Sequence, residues 1–197
     1  NTIKDKQKKI EIGIVIKQDI SENLVNIAFL AIGSNLGSKK RNIEKAKFLL
    51  EKNSIKIIKS SNIYETYSWP NKNDPKFFNV VVKIATKLNP INLFFIIKDI
   101  EKKLGRKNKP LNSPRTCDID IIDYKKKFLN LNLENIELKI PHQSISVRNF
   151  VLYPLMEICP NWIHPVSKTP IDILIKNLNN NEITKLSQND IKKNDVK

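Results

Sequence analysis

The stretch SPRTCDIDIIDY, residues 113–124, places two carboxylates two positions apart within an apolar run. The alternation of acidic and apolar residues predicts a β-strand, on which Asp118 and Asp120 share one face. Two like charges side by side repel, so the pair requires solvent around both acids, a proton on one of them, or a cation between them. These three alternatives stay open at the level of this stretch alone.

Arginine is rare in this chain, since only four of the 35 basic residues are arginines. Arg115 lies just before the paired acids, Arg106 follows a predicted helix end, and His142 and Arg148 lie in the stretch PHQSISVRNF. Guanidinium groups suit phosphate oxygens, and carboxylates suit Mg²⁺, which takes phosphates as its remaining ligands. The set indicates a nucleoside triphosphate site, with a structural salt-bridge network as the alternative.

A second group of candidate binding residues lies in DPKFFN, at the start of another predicted strand. Phe77 and Asn79 alternate onto one face and Phe78 onto the other, so one Phe is expected in the core and the other beside a cavity. A flat ring and an amide together can hold a planar heterocycle by stacking and paired hydrogen bonds. One Asn in a strand is a weak signal when taken alone.

The stretch GSNLGSKK invites comparison with a phosphate-binding P-loop, which needs four residues between its glycines. Only three separate Gly33 from Gly37, so a tight turn from a strand into a helix explains the pattern better. A supporting role at the site stays open, because loops at strand ends often line sites.

Composition narrows the class of protein. The 197 residues carry a formal charge of +15 and are 40% hydrophobic, enough for a folded core. Binding to polyanions and compositional drift towards Lys both explain the charge, and drift is favoured because 31 of the 35 basic residues are lysines. Without a long apolar run, a secretory signal or a disulfide pattern from its two cysteines, the chain is expected in a reducing cytoplasmic compartment, away from membranes. Because the first residue is Asn1, a fragment or processed chain is expected.

The predicted elements follow the order β-α-β-β-α-β, which is typical of an α+β ferredoxin-like sandwich with an antiparallel sheet. The strands are predicted at 26–33, 55–67, 77–88 and 117–124, and the helices from about Ser38 and from Pro90 to Gly105. A C-terminal hairpin over 128–140 and a helix over 147–158 follow. The expected organisation is an N-terminal extension or remnant at 1–26, one domain at 27–178 and a disordered tail at 179–197.

From about Ile27 to Pro165 the chain resembles the 6-hydroxymethyl-7,8-dihydropterin pyrophosphokinases of folate biosynthesis. The segments AIGSNLG, SSNIYET, DPKFFNVVV, IEKKLGR, PRTCDIDIIDY, IPHQSISVRNFVLYPLMEI and PNWIHP carry the resemblance in this order, most specifically in the PRT-x-D-x-D and PH…R-x-F blocks. The resemblance implies a ferredoxin-like fold and transfer of pyrophosphate from ATP to the hydroxymethyl group of the pterin, with release of AMP.

The same resemblance implies roles for individual residues. Asp118 and Asp120 are expected to bind two Mg²⁺ ions that bridge the triphosphate of ATP, so that cations would hold the paired acids together. The other implied positions are Arg106 and Arg115 as catalytic phosphate contacts, Glu101, His142 and Arg148 beside the nucleotide, and Thr66, Phe77, Asn79 and Phe150 around the pterin.

Two departures from the family pattern affect the expected loops around the substrates. Asn108, Leu111 and Asn112 stand where the family usually has a basic residue and an Arg-Trp pair, so closure over ATP is expected to use Lys107 or Lys109. The pterin loop YSWPNKN is less proline-rich than expected, and Trp69 is a candidate to pack over the ring.

Two other functions fit parts of the pattern. A ferredoxin-like RNA-binding module with a basic surface would need a strand dense in aromatic residues, and none of the predicted strands is of this kind. A two-metal phosphodiesterase would use the acids but would leave Asn79 and the two Phe residues without a role. The pyrophosphokinase is therefore the main hypothesis, acting as a monomer on small-molecule substrates without nucleic acid.

Overall fold

A computed structural model describes residues 25–68, 71–106, 113–133, 136–179 and 182–194. Its strands are β1 (Asn26–Ser34), β2 (Lys56–Ser60), β3 (Tyr64–Thr66), β4 (Phe77–Thr86), β5 (Asp118–Tyr124), β6 (Leu129–Leu133), β7 (Ile136–Ile140) and β8 (Ile183–Lys185). Its helices are α1 (Lys39–Lys52), α2 (Pro90–Lys103), α3 (Asn149–Ile158), α4 (Ile171–Lys176) and α5 (Gln188–Asn194). A 3₁₀ turn at Ile145–Val147 precedes α3, where the sequence predicted continuous helix from residue 147. The expected N-terminal extension lies almost entirely outside the described residues.

The main sheet has six strands in the order β5-β1-β4-β3-β8, and β2 pairs with β4 beside β3. Each strand pairing in this sheet is antiparallel. The central strand β1 lies between β4 and β5, so residues of three strands separated in sequence form continuous rows across the sheet. β6 and β7 pair antiparallel as a separate two-stranded sheet.

The two faces of the sheet bury different clusters. Alternate residues such as Leu30, Ile32, Phe78 and Val80 pack with α1 and α2 in the larger core. On the opposite face, Phe29 of β1 and its neighbours pack under α3 and α4. This second cluster ends before the edge at which β5 begins, and that part of the face carries the polar residues singled out in the sequence.

The single strand predicted over 55–67 is interrupted in the structure. Ser61 separates β2 from β3, and its hydroxyl oxygen accepts the backbone N–H of Val81 at 3.0 Å. The hydroxyl thus replaces a backbone carbonyl as the acceptor of this hydrogen bond between strands. Ser side chains often compete with the backbone for such hydrogen bonds. The hydrophobic alternation could not reveal this break because it concerns a side-chain hydrogen bond.

The C-terminal part of the chain differs from the disordered tail predicted over 179–197. Within the described residues, β8 joins the sheet beside β3, and α5 follows it. Leu186 and Ile191 are buried in the larger core, at 8% and 4% exposure. Two buried apolar residues and the pairing of β8 anchor this polar segment, although composition alone favoured disorder.

The cluster under α3 and α4 contains a buried polar network. Trp162 is fully buried, and its indole N–H donates to Oδ2 of Asp123 at 2.8 Å. His164 packs edge-on against Trp162, and its Nδ1 accepts the backbone N–H groups of Val166 and Ser167 at 3.2 and 3.0 Å. Nδ1 must stay unprotonated to accept these bonds, so the neutral ring is built into this turn.

The folded protein is therefore expected to lose stability in mild acid through His164. Burial lowers the pKa of His164 from its ordinary value of 6.5, so the unfolded chain binds the proton first as the pH falls. The contribution of the neutral His164 to the free energy of unfolding is complete above pH 6.5. It is lost as the pH falls through the lower pKa of the folded protein. In His164→Asn, an amide oxygen can replace Nδ1 as acceptor, so urea unfolding should show a smaller loss of stability between pH 7 and pH 5. Equal losses in both proteins would contradict this.

Candidate functional site

The candidate residues lie along one row of the sheet. Gly33 of β1 pairs with Asn79 of β4 on one side and with Asp118 of β5 on the other. Directly opposed residues of antiparallel strands point to the same face, so the amide and the acid flank a position without a side chain. A Cβ atom at Gly33 would lie 3.1 Å from Oδ1 of Asn79 and 3.5 Å from Cδ1 of Phe77. Glycine thus keeps the floor between the two groups open.

The paired acids are both partly exposed and both bound to arginines. Asp118 accepts a hydrogen bond from Nη1 of Arg106 at 2.6 Å and another from Nη1 of Arg115 at 3.0 Å. Asp120 accepts one from Nη1 of Arg148 at 2.8 Å. The three arginines come from three separate segments, which converge on two adjacent positions of one strand face. These guanidinium groups supply positive charge beside the acid pair.

Arg106 is positioned by the end of α2. Gly105 adopts a left-handed conformation, with φ of +86°, and the backbone N–H of Arg106 donates to the carbonyl of Glu101 at 3.0 Å. This reversal is a common way to end a helix at glycine, and it directs the chain towards β5. Although burial lowers the pKa of the Arg106 guanidinium, the carboxylates of Asp118 and Glu101 outweigh it and raise that pKa. Arg106 is therefore a permanent cation.

Glu101 lies beneath this cluster and is 1% exposed. Its Oε1 accepts the backbone N–H of Ile119 at 2.7 Å and also binds Nη1 of Arg106, while Oε2 pairs with Lys98 at 2.9 Å. Burial raises the pKa of the Glu101 carboxyl despite these partners. The geometry indicates that Glu101 orients Arg106 and fixes the start of β5 from below.

His142 and Arg148 both face Asp120. Nε2 of His142 lies 3.8 Å from Oδ2 of Asp120, and Nδ1 accepts the backbone N–H of Ser144 at 3.1 Å. Burial lowers the pKa of His142, and in the neutral ring the accepting Nδ1 leaves the proton on Nε2, directed at the site. Arg148 holds the N-cap position of α3, and its guanidinium lies 5.5 Å from the ring of Phe150.

The predicted pterin residues also come together at this end of the sheet. Asn79 is 6% exposed and donates from Nδ2 to the hydroxyl of Thr66 at 3.0 Å. Phe78 is fully buried in the core, whereas Phe77 is partly exposed with the guanidinium of Arg115 5.9 Å from its ring centre. The amide is thus anchored by its nitrogen, and its oxygen faces the open floor above Gly33.

Asn35 is a site residue that sequence reasoning missed. Its backbone N–H donates to the carbonyl of Arg115 at 3.1 Å, and its side-chain oxygen accepts the N–H of Arg115 at 2.7 Å. Its amide nitrogen donates to the hydroxyl of Ser68 and the carbonyl of Pro75, at 3.2 and 3.1 Å. Asn35 therefore joins the segment of Arg115 to the loop after β3. Asn35 lies in the GSNLG turn. The sequence indicated only that this loop could support the site, and it did not single out Asn35.

Several predictions concern residues outside the described ranges. These are Trp69 and the loop positions Lys107, Asn108, Lys109, Leu111 and Asn112. Among the described residues, no group of three or more His, Cys, Asp or Glu side chains could hold a metal by itself. Within the same ranges, every helix is too short or too polar to cross a lipid bilayer.

Comparison with known proteins identifies relatives over most of the chain. Residues 29–160 match the model of the family described as 7,8-dihydro-6-hydroxymethylpterin-pyrophosphokinase. The 2-amino-4-hydroxy-6-hydroxymethyldihydropteridine pyrophosphokinase of Aquifex aeolicus is 41% identical over 143 residues, which cover 73% of this chain and 86% of that protein.

Other similar proteins are much longer than this chain. The folic acid synthesis protein fol1 of Schizosaccharomyces pombe is 36% identical over 85% of this chain, which spans only 22% of that protein. A crystal structure of wild-type HPPK-DHPS from Plasmodium falciparum superimposes with a TM-score of 0.62 at 24% identity, over 79% of this chain and 42% of that one. At that identity the superposition supports the fold alone.

Proposed function

Because the chain belongs to the 7,8-dihydro-6-hydroxymethylpterin-pyrophosphokinase family, it transfers pyrophosphate from ATP to the hydroxymethyl group of 6-hydroxymethyl-7,8-dihydropterin, and we propose how its residues divide this reaction. The reaction yields the pterin diphosphate and AMP and belongs to folate synthesis. The observation that carries the assignment of residues is the row Asn79, Gly33 and Asp118, which sets an amide and an acid on either side of an open floor.

We assign the fold to the ferredoxin-like sandwich. If β2 and β3 are taken as one interrupted strand, the order β5-β1-β4-β2/β3 is that of a β-α-β-β-α-β unit with both helices on one face. We propose that the pyrophosphokinase domain expected at 27–178 extends past residue 178, because β8 joins the main sheet and Leu186 and Ile191 lie in its core. A monomer that binds no nucleic acid is proposed as the working state.

The donor set at the acid pair fits magnesium. Mg²⁺ is commonly held by one or two carboxylates together with substrate phosphates, so Asp118 and Asp120 need no third acid among the described residues. Both side chains are partly exposed, at 26% and 31%, and reachable from the open face. We propose that the pair holds two Mg²⁺ ions, which when bound would neutralise charge on the attacking and leaving oxygens.

The arginines bind the triphosphate in this proposal. Arg106, Arg115 and Arg148 already converge on the acid pair, and a guanidinium group can exchange a carboxylate for phosphate oxygens without moving its backbone. Nε of Arg115 is buried and has no hydrogen-bond partner among the described residues, so this arginine retains an unused donor. The Nε2–H of His142 supplies a further donor on the side of Asp120.

The pterin occupies the other side of Gly33. Asn79 and Thr66 bind the polar edge of the heterocycle, and Phe77 and Phe150 contact its faces. The acceptor is then next to the phosphate-binding residues, so attack by the hydroxymethyl oxygen on the β-phosphorus requires only alignment of the two substrates. Such transfers depend on positioning and charge neutralisation, and the proposal assigns no protein base.

One incubation tests this function directly. The protein is mixed with ATP, Mg²⁺ and 6-hydroxymethyl-7,8-dihydropterin, and nucleotides are separated by chromatography. AMP is expected in equal amount to the pterin diphosphate and only when the pterin is present. Release of ADP, or AMP formed without the pterin, would contradict the assignment and would favour a kinase or a phosphodiesterase. The RNA-binding alternative has no support among the relatives found.

Replacing Arg115 by Lys tests whether the site needs a planar guanidinium group, which can donate two parallel hydrogen bonds to phosphate oxygens. Lysine keeps the positive charge beside Asp118 but presents one compact ammonium group. If two phosphate oxygens must be held at once, turnover should fall by more than about tenfold, roughly 1.4 kcal/mol of barrier, while ATP still binds. Steady-state kinetics with calorimetry for ATP separates the two effects.

The contrary outcome is equally clear. If Arg115 only balances the charge of Asp118, Arg115→Lys should retain turnover within about twofold of the parent. Arg41→Lys is a matched control, because Arg41 is an exposed residue on α1. That variant should behave like the parent in both measurements.

A further inference from the structure

We propose that the C-terminal segment Glu182–Ile191 is a positioning element for the pterin side of the site. This inference rests on the proposed function of Thr66 and Asn79. The segment lies beyond residues 29–160, which match the family model. Its role would be to hold β3 in place from the outside of the sheet.

The geometry of β3 gives the first argument. This strand has only three residues, Tyr64–Thr66, and ends at the residue that binds the Asn79 amide. β4 pairs with one side of it and β8 with the other, so that Thr66 faces Phe77 on β4 and Ile183 on β8. Without β8, this short strand would be held by a single ladder at the point where the pterin loop begins. Edge strands of this length are weakly held.

Side-chain contacts fix the same region independently. Glu157 of α3 accepts a hydrogen bond from the hydroxyl of Tyr64 at 2.8 Å and lies 3.5 Å from the ammonium of Lys185. Lys72, within the loop between β3 and β4, pairs with Glu182 at 2.6 Å. The C-terminal segment therefore contacts both β3 and the loop that β3 introduces.

Apolar burial anchors the segment to the body of the protein. Leu186 and Ile191 join the larger core, and the backbone N–H of Leu186 donates to the carbonyl of Ile63 at 2.9 Å. A segment fixed in the core at one end and paired with β3 at the other can transmit rigidity to Thr66. Loss of the pairing would lower the fraction of molecules whose Thr66 and Asn79 are correctly placed, and would weaken pterin binding by that fraction.

The hydrogen-bond register supplies a matched pair of variants. Because Leu186 and Ile63 form a hydrogen-bonded pair, the alternation of an antiparallel ladder makes Glu65 and Thr184 the next such pair, with Tyr64 and Lys185 not bonded. Thr184→Pro should therefore delete a bond to β3, whereas Lys185→Pro should remove an N–H that points away from it. Lys185→Ala accounts for loss of the contact with Glu157.

The expected result is a change confined to one substrate. Thr184→Pro should raise the KM for the pterin at least about threefold, as expected from the loss of one or more ladder bonds, with little change in the affinity for ATP. Lys185→Pro should match Lys185→Ala. Calorimetry with a non-hydrolysable ATP analogue measures the affinity of each variant for the nucleotide. Binding with the parent's affinity also shows that the variant is folded.

Several outcomes would overturn the inference. They are a normal pterin KM in Thr184→Pro, equal weakening of both substrates, or the same effect in both proline variants. If Thr184→Pro does not fold, the charge reversal Glu182→Lys provides a milder test, because it places two lysines together beside the loop. Its pterin KM should rise about twofold and return towards the parent value when Lys72→Glu is added. A normal KM in Glu182→Lys would then count against the inference.

The parent protein separates this inference from the function on which it rests. A parent that forms no pterin-dependent AMP would refute the proposed function. An active parent whose Thr184→Pro variant has an unchanged pterin KM would refute only the role of the C-terminal segment.

Discussion

Replacing either Asp118 or Asp120 by Asn is expected to lower kcat at least about 1,000-fold, because each change removes a charged ligand from the site at which the transferring phosphates are neutralised. Asn keeps the size of the side chain and one oxygen. The residual activity should therefore report the loss of charge and not a change of shape. Steady-state kinetics at saturating Mg²⁺ gives the measurement.

The same variants should remain folded. Both acids are partly exposed, so their pairs with arginine contribute at most about 1 kcal/mol to stability. In Asp118→Asn, Arg106 still has Glu101 as a partner. Urea unfolding should change little.

A suitable control is Asp99→Asn, which removes an exposed acid paired with Lys103 one turn along α2. Its kcat should equal that of the parent. Near-normal turnover of either site variant at saturating Mg²⁺ would contradict the metal assignment. A loss of activity that follows the loss of folded protein would instead make the acids structural.

The acid pair could be found from the sequence because its signal is periodic. Alternation predicts that Asp118 and Asp120 share a face whatever the neighbouring strands are, and the register with Gly33 and Ala31 agrees with this. The separation of Phe77 from the buried Phe78 follows from the same rule. Gly105 also ends α2 as expected from its freedom to adopt positive φ.

Other features depend on contacts between distant segments, which periodicity does not encode. Asn35 acts through hydrogen bonds to Ser68, Pro75 and Arg115, which are separated from it by 33, 40 and 80 positions in the sequence. The break at Ser61 depends on the N–H of Val81, and β8 depends on the free edge of β3. That Glu101 lies beside the nucleotide stays a prediction, and its position below Arg106 follows from how α2 packs on β5. Each of these required the tertiary structure.

Replacing Asn79 by Ala is expected to weaken pterin binding by about 2 to 4 kcal/mol, as when a site built on paired hydrogen bonds loses them. The reason lies in how the amide is held. Its nitrogen is bound to Thr66 at 3.0 Å, which fixes the orientation of the group, and its oxygen faces the floor above Gly33. A heterocycle that has both donors and acceptors along one edge is recognised by an amide held in one orientation.

Two further variants separate recognition from anchoring. Asn79→Asp keeps the shape but replaces the amide nitrogen, the donor to Thr66, by a second charged oxygen, so it should also lose pterin affinity, whereas Thr66→Val removes the same hydrogen bond without adding a charge and should have a smaller effect. Affinity for an ATP analogue should stay close to that of the parent in all three, because Asn79 lies across Gly33 from the acid pair. Calorimetry with each ligand separately makes the distinction. Equal weakening of pterin and nucleotide in Asn79→Ala would show that Asn79 supports the sheet as a whole, because loss of a contact made to the pterin alone leaves the nucleotide side, across Gly33, unchanged.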